Sequence, residues 1–105
     1  MAQKLTLTAT LRAKPGMEEE LGRRLSALVE PTRKEPGCIN YDLHRSNDNP
    51  AVWMLYESWG SRADLDIHFA TPYLKNFLGH MDEVLAEPYD MRFYSMTSQH
   101  VPPKY

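Results

Sequence analysis

Hydrophobic and polar residues alternate along several segments of the chain, and alternation with a period of two is typical of β-strands. In residues 4–12 the apolar positions alternate with threonines and basic residues, and they are Leu5, Leu7, Ala9 and Leu11. Three further segments predict strands: residues 38–46, 51–59 and 89–97. The turn cluster at residues 47–50 joins the middle two segments as an antiparallel hairpin.

Between these segments, apolar residues recur every three or four positions, which predicts helices that pack on a core. Five apolar residues share one side of a helix from near residue 16 to residue 34: Met17, Leu21, Leu25, Leu28 and Val29. Ser61 and Asp64 fit a capping box, which opens a short helix that ends near Ala70. Thr71 then caps a further helix, whose apolar stripe extends to Leu85.

The predicted order is β-α-β-β-α-β, with the second helix split in two. This order is that of the ferredoxin-like α+β fold, a four-stranded antiparallel sheet with its helices on one face. A chain of 105 residues has the length of one domain. We therefore expect a single domain over residues 1–98 and a C-terminal tail over residues 99–105.

The third predicted strand carries apolar residues on both faces, which predicts that both faces of the sheet are packed against other parts of the structure. Val52, Met54 and Tyr56 point to one of its faces, and Trp53, Leu55 and Trp59 point to the other. Because the helices cover only one face, an apolar second face requires another partner. We expect a homodimer in which two sheets pack face to face. The alternative is a monomer with a partly apolar exposed sheet.

Composition narrows the classes of partner. The chain has 14 acidic and 12 basic residues, so we expect neither nucleic acid nor a membrane as partner. The single cysteine, Cys38, excludes an internal disulfide framework, and the N-terminus carries no apolar signal core. We expect a protein of a reducing cytoplasm. The sequence also lacks a phosphate-binding glycine loop and paired metal-ligand spacings, so we expect no cofactor and no metal.

Three features together point to a known family. They are the run Glu35-Pro-Gly-Cys-Ile-Asn-Tyr-Asp-Leu-His-Arg45, the run Trp53-Met-Leu-Tyr-Glu-Ser-Trp59, and His68 on the following helix. In this order they resemble the antibiotic biosynthesis monooxygenase domain, and the likeness covers roughly residues 4–97. The resemblance implies a dimeric α/β barrel built from two ferredoxin-like domains.

The resemblance is less specific for activity than for fold. The family includes cofactor-free oxygenases of quinols and polyketide phenols, haem-degrading enzymes, an isomerase that processes an autoinducer, and many members of unknown role. The haem-degrading branch has an Asn in the first strand, a Trp on the short helix and a His ten residues later. This chain has no Asn in its first strand, and it carries His68 and Leu78 at the other two positions. The resemblance therefore favours the oxygenase and isomerase branches.

Aromatic residues predict a pocket suited to a flat phenol or quinol. The candidates for its walls are Trp53, Tyr56, Trp59, Phe69, Tyr73, Phe77 and Phe93. His68 is the first candidate for the catalytic base, because an imidazole titrates near neutral pH. It lies three residues after Leu65, on or near the apolar face of the short helix. The alternative is a histidine at the edge of the core that is hydrogen-bonded to backbone.

Two further residues complete the predicted catalytic set. Glu57 lies on an apolar strand face, where a carboxylate is costly unless it is paired. It would orient His68 or a substrate hydroxyl, or else pair with Arg92 or Arg45. Asn40 would donate to a substrate oxygen, or else it is a polar strand residue that faces solvent. Tyr73 and Arg92 are further candidates that would bind the substrate and stabilise an anion.

These residues predict a cofactor-independent monooxygenase that oxidises a quinol or polycyclic phenol with molecular oxygen. Deprotonation makes such a substrate an electron donor to oxygen, and the protein supplies a base, a dry site and hydrogen bonds to the anion. Two alternatives stay open. One is an isomerase of a small carbonyl compound of the autoinducer type, and the other is a non-catalytic dimeric module that binds aromatic ligands.

Overall fold

The structure, a computed structural model, describes residues 4–99 and comprises four strands and three helices in that range. The strands are β1 (Leu5–Arg12), β2 (Cys38–Arg45), β3 (Val52–Trp59) and β4 (Asp90–Tyr94). The helices are α1 (Glu18–Arg33), α2 (Arg62–Phe69) and α3 (Pro72–His80), and a 3-10 turn follows at Met81–Glu83. Except for Gln99, the predicted C-terminal tail lies outside the described residues.

The strands form one antiparallel sheet in the order β2-β3-β1-β4. Strand β1 lies in its centre, where Ala9 pairs with Leu55 of β3 on one side and with Met91 of β4 on the other. The element order and this strand order are those of the ferredoxin-like α+β fold, which confirms the predicted architecture. No helix among residues 4–99 has the length and apolar character needed to cross a membrane.

The core lies between the helices and one face of the sheet, here called the helix face. Odd-numbered residues of β1 and β3 point to this face, because alternate residues of a strand point to opposite sides. The sheet contributes Leu7, Ala9, Leu11, Tyr41, Leu55 and Trp59 to the core, and the helices contribute Leu21, Leu25, Leu28, Leu65, Leu74 and Phe77. Polar side chains on the helix face are therefore shielded from bulk water.

The opposite face of the sheet, here called the open face, is more polar than the third strand alone predicted. Val52, Met54 and Tyr56 are half-buried on it, as the alternation of β3 requires. The threonines of β1 share this face, and Asn40 of β2 lies across from Ser58. The open face is thus a mixed surface, with its apolar residues concentrated on β3.

The last helix and the last strand are shorter than the sequence predicted. Helix α3 ends at His80, so the predicted helical stripe to Leu85 is wrong beyond that point. Leu85 instead forms an isolated bridge with Ala13, and the Lys14 amide donates to the Val84 carbonyl at 2.8 Å. Backbone pairing beyond the end of β1 therefore takes the place of the last helical turn and buries Val84 and Leu85.

Two predicted helix starts are correct, although their caps differ. Ser61 caps α2, since its hydroxyl oxygen accepts from the Asp64 amide at 3.2 Å. Thr71 occupies the corresponding position before α3, but its hydroxyl donates to the His68 carbonyl at 2.7 Å instead. The Thr71 side chain thus closes the end of α2 and links the two short helices.

Helix α1 approaches the sheet closely at Gly22. A Cβ atom at this position would lie 2.3 Å from Cζ2 of Trp53 on β3. The indole cannot easily retreat, because its Nε1 donates to the Glu18 carbonyl at 3.2 Å and the Arg45 guanidinium lies 4.5 Å from its ring centroid. The absence of a side chain at Gly22 therefore sets the spacing between α1 and β3.

We expect Gly22→Ala to lower the free energy of unfolding by about 1–3 kcal/mol, because the new methyl group overlaps a held ring. Gly79→Ala is the matched control, since a Cβ at that helical position meets nothing within 4 Å. The control should be more stable than the parent by about 0.5–1 kcal/mol through helix propensity. Urea unfolding measures both changes, and equal stability of the two variants would contradict the close approach.

Candidate active site

A small apolar cavity lies between the helix face of the sheet and helices α1, α2 and α3. Its volume is about 40 Å³, which is room for about three water molecules. Aliphatic and aromatic side chains form most of its wall: Ala9, Leu11, Leu25, Leu28, Tyr41, Leu55, Phe69, Leu74, Phe77, Leu78, Tyr89 and Met91. Two titratable side chains of the predicted catalytic set, Glu57 and His68, complete it.

Glu57 reaches the cavity because β3 places it on the helix face. It pairs across the sheet with Leu7 and Tyr41 and is only 5% exposed. Its Oε1 accepts from the Trp59 indole Nε1 at 3.1 Å, and its Oε2 has no hydrogen bond among the described residues. Burial raises the pKa of the Glu57 carboxyl to about 7, against the hydrogen bond from Trp59, which lowers it. Glu57 does not pair with Arg92 or Arg45.

His68 reaches the cavity from the other side, on the buried face of α2 that it shares with Leu65. It is 2% exposed, and its ring centroid lies 4.7 Å from that of Trp59 and 5.5 Å from that of Tyr41. Its Nδ1 lies 2.8 Å from Oε2 of Glu35, so its partner is a carboxylate and not backbone. Burial lowers the pKa of the His68 imidazole, and the neighbouring Glu35 carboxylate acts in the opposite direction.

Glu35 is the site residue that sequence reasoning missed. It lies in the short connection between α1 and β2. Its Oε2 also accepts a hydrogen bond from the Tyr73 hydroxyl of α3. The only available signal was its place in the family-like run that begins at residue 35, since spacing does not predict a contact made 33 residues away.

Of the predicted aromatic wall, Phe69 and Phe77 line the cavity. Trp59 lies beneath it, where it contacts both Glu57 and His68. Tyr73 lies behind His68, and burial, followed by the Glu35 carboxylate, raises its pKa to about 12. Trp53 lies at α1, and Phe93 is 43% exposed beneath the Arg62 guanidinium, so neither belongs to the wall.

The structure does not bring three of the predicted residues to the cavity. Asn40, Tyr56 and Arg92 occupy the open face, because neighbouring residues of a strand point to opposite sides and Asn40 pairs with Ser58 rather than with Glu57. Arg92 is exposed and pairs with Asp90 at 2.9 Å. The cavity is thus built from His68 and Glu57 without them.

The pKa of Glu57 is raised and the pKa of His68 is lowered, and this difference decides what the site can do. A carboxyl with a raised pKa and an imidazole with a lowered pKa are both disfavoured as ions by burial. Near neutral pH the pair offers a partly protonated acid and a neutral base at one cavity, which suits proton exchange with a bound molecule. Within residues 4–99, no cluster of three or more His, Cys, Asp or Glu side chains is placed to hold a metal ion.

We expect Glu57→Gln to gain stability relative to the parent as the pH rises. Because the folded pKa of about 7 exceeds the ordinary value of 4.5, the parent loses stability as its carboxyl ionises between these values. The loss is on the order of 3 kcal/mol at 1.36 kcal/mol per unit, and glutamine does not titrate. Denaturant unfolding at about pH 4 and about pH 8 measures the difference.

Glu87→Gln is the matched control, because Glu87 is an exposed partner of Arg12. Its stability relative to the parent should be nearly the same at the two pH values, since an exposed pair contributes little. If Glu57→Gln behaves like this control, the Glu57 carboxyl is not desolvated.

Comparison with known proteins assigns the chain to a family. The family model described as antibiotic biosynthesis monooxygenase matches residues 5–79. The Synechocystis protein named "Uncharacterized protein sll1783" is 32% identical over 92 residues, which are 88% of this chain and 63% of that protein. The chain therefore spans less than two thirds of that relative. The Mycobacterium tuberculosis protein named "Putative monooxygenase Rv0793" is 33% identical over 88 residues, 84% of this chain and 86% of that protein.

Solved structures agree with this assignment. The crystal structure of PA3566 from Pseudomonas aeruginosa aligns with a TM-score of 0.88 at 34% identity, over 93% of this chain and 98% of that one. The structure of the Mycobacterium tuberculosis relative Rv0793 aligns with a TM-score of 0.88 at 28% identity, over 94% of this chain and 100% of that one. The family model covers most of the described domain, and the chain belongs to the antibiotic biosynthesis monooxygenase family.

Proposed function

We propose that the protein is a cofactor-independent monooxygenase that oxidises a phenol or quinol with molecular oxygen. One observation carries the proposal: a small, mostly apolar cavity whose wall holds a buried histidine with a carboxylate on its Nδ1. Such a site excludes water and offers a base to an acidic hydroxyl. The family and a relative named as a monooxygenase support the reaction class.

The chemistry needs the substrate to supply its own electrons. Ground-state oxygen is a triplet, so it reacts slowly with a closed-shell phenol but accepts one electron from a phenolate. Recombination of the two radicals places a peroxide on the ring carbon, and loss of water leaves a carbonyl. A phenol with a free para position thus becomes a quinone: one oxygen atom enters the ring, the other leaves as water, and the phenol supplies all four electrons.

The two polar groups of the cavity have complementary roles in this scheme. His68 takes the proton from the substrate hydroxyl at Nε2, which has no hydrogen-bond partner among the described residues. Glu57, with its pKa raised to about 7 by burial, is partly protonated near neutral pH. Its carboxylic acid donates to the peroxide oxygen and supplies a proton as water leaves.

The size of the cavity limits the substrate. At about 40 Å³ it is far smaller than the roughly 300 Å³ of a typical ligand pocket. A flat ring enters only if side chains at its rim move, and the rim contains the half-buried Leu78, Tyr89 and Met91. Methionine adapts easily to such a change, because its side chain is unbranched and flexible. The proposal therefore includes an opening between α3 and β4 on binding.

The test is oxygen incorporation from ¹⁸O₂ into 1-naphthol in the presence of a chelator. We expect the quinone product from 1-naphthol to carry a single labelled oxygen, at a rate above the background without protein. His68→Gln should lower that rate by about 10²–10⁴-fold, the usual contribution of a general base. His80→Gln is the control, because His80 is exposed at the end of α3 and should leave the rate unchanged.

Two results would overturn this proposal. Product without label, or hydrogen peroxide in equal amount, would show electron transfer to oxygen without monooxygenation. An unchanged rate in His68→Gln would remove the assigned base.

A second function is favoured by the small cavity and its acid–base pair. An isomerase that acts on a small carbonyl compound would use His68 to remove a proton and Glu57 to return one, without oxygen. Turnover of such a compound under strict anaerobiosis would support the isomerase against the oxygenase. Saturable binding of aromatic ligands without any turnover would instead support a binding module.

We further propose that two copies pair through their open faces. Val52, Met54 and Tyr56 form an apolar strip along β3, next to the central strand, and pairing would remove it from water. Sedimentation velocity at low micromolar concentration should give the mass of a dimer. Met54→Lys, which places a charge in the strip, should give a monomer.

Ile67→Lys is the matched control for this experiment, because Ile67 is 61% exposed on the helix side of the molecule. It should leave the sedimentation unchanged. A stable monomer in the parent, or a dimer in Met54→Lys, would show that the open face does not pair in this way.

A further inference from the structure

We propose that Glu35 and Tyr73 are positioning residues that hold His68 with its proton on Nδ1 and its free lone pair on Nε2. Together the three form the Glu35–His68–Tyr73 cluster. The use of that lone pair as a base rests on the proposed function. The contacts among the three side chains do not depend on it. It assigns a role in proton transfer to two residues that do not line the cavity.

The cluster joins three separate parts of the fold at one carboxylate oxygen. Glu35 comes from the connection after α1, His68 from α2 and Tyr73 from α3. The Oε2 atom of Glu35 lies 2.8 Å from His68 Nδ1 and also accepts from the Tyr73 hydroxyl. Tyr73 therefore fixes the direction in which Glu35 presents its oxygen to the imidazole.

The tautomer of His68 follows from the group that faces its Nδ1 atom. Oε2 of Glu35 already accepts from the Tyr73 hydroxyl, and a carboxylate oxygen has no hydrogen of its own to donate to Nδ1. The Nδ1 atom of His68 is then the donor, and in the neutral ring Nε2 is left as an acceptor. A histidine tautomer is commonly set in this way by the partner of its other nitrogen.

The burial of the cluster argues for a function beyond holding the helices together. The side chains of His68 and Glu35 are 3% and 10% exposed. The other oxygen of Glu35, Oε1, is buried and has no hydrogen-bond partner within the described part of the chain. Burying a carboxylate oxygen without a hydrogen bond costs stability, so a purely structural role does not explain why Glu35 is buried here.

The Glu35 carboxylate has a use when His68 becomes charged. A proton that leaves the substrate hydroxyl and binds Nε2 makes an imidazolium, which burial disfavours. Oε2 of Glu35 lies 2.8 Å from Nδ1 and supplies the opposite charge that stabilises the imidazolium, while the Nδ1 proton stays in place. The proton on Nε2 ends in the water that is released, so His68 ends each cycle neutral.

Other titratable groups face His68 from the elements packed around it. They are Tyr41 of β2, whose ring contacts the imidazole, and Glu57 of β3, which shares the cavity and the Trp59 ring. Neither forms a hydrogen bond with His68 in the described residues. Glu35 is therefore the group whose charge should dominate the titration of His68.

The test is ¹⁵N NMR of the histidine side chains of the whole chain, recorded against pH and without substrate. In the parent we expect His68 in the Nδ1–H tautomer. Glu35→Gln should move the His68 titration to lower pH, because the charge that stabilises the imidazolium is gone, and should weaken the tautomer preference. Glu35→Asp, which keeps the charge, should partly restore the His68 titration and the preference for the Nδ1–H tautomer.

Tyr73→Phe provides a second, opposite test that does not depend on the folding of Glu35→Gln. It removes a hydrogen-bond donor from the same carboxylate, so the charge acts more fully on His68 and the titration should move to higher pH. General loosening of the core would not shift the two variants in opposite directions. Glu30→Gln is the control, because the Glu30 side chain is 84% exposed. It should change neither the titration of His68 nor its tautomer.

The NMR results separate this inference from the proposed function. A parent His68 in the Nε2–H tautomer, or a Glu35→Gln variant with unchanged tautomer and titration, would overturn the positioning role. Expected NMR shifts in a protein that oxidises no phenol would overturn the oxygenase and leave the positioning role standing. If the oxygenase is active, Glu35→Gln should lower kcat by at least about tenfold with little change in KM.

Discussion

Exclusion of water beneath the helices is the constraint on which the candidate site depends. The helices pack over Glu57, and α2 carries His68 into the same interior, where burial moves the pKa values of the two groups in opposite directions. The same packing that stabilises the core therefore makes a neutral base and a partly protonated acid available at one cavity. The partners of the two groups, Trp59 and Glu35, limit the cost of burying them.

This arrangement couples the site to the assembly of the whole domain. The Glu35 carboxylate meets an imidazole and a phenol that come from two different helices, and neither contact forms until those helices are docked. The hydroxyl of Thr71 closes the end of α2 and connects it to α3. The environment of His68 thus depends on the docking of the short helices on the sheet.

The sheet separates two kinds of surface. Its helix face carries the buried acid and base, and its open face carries Asn40, Tyr56 and Arg92 among threonines. Residues only one position apart, such as Tyr56 and Glu57, therefore lie on opposite faces, one in the open face and one at the cavity. Alternation along a strand makes this division unavoidable, because neighbouring side chains point to opposite sides.

The sequence by itself determined the strands, the helix starts at Ser61 and Thr71 and the ferredoxin-like order, because these depend on local periodicity and capping. It also placed His68 on a buried helix face and Glu57 on an apolar strand face. Only the tertiary structure decided that Glu35 and Tyr73 stand behind His68, that Asn40 lies on the far side of the sheet, and that Leu85 pairs with Ala13. Those outcomes depend on strand register and on contacts between residues distant in the chain, which local pattern does not encode.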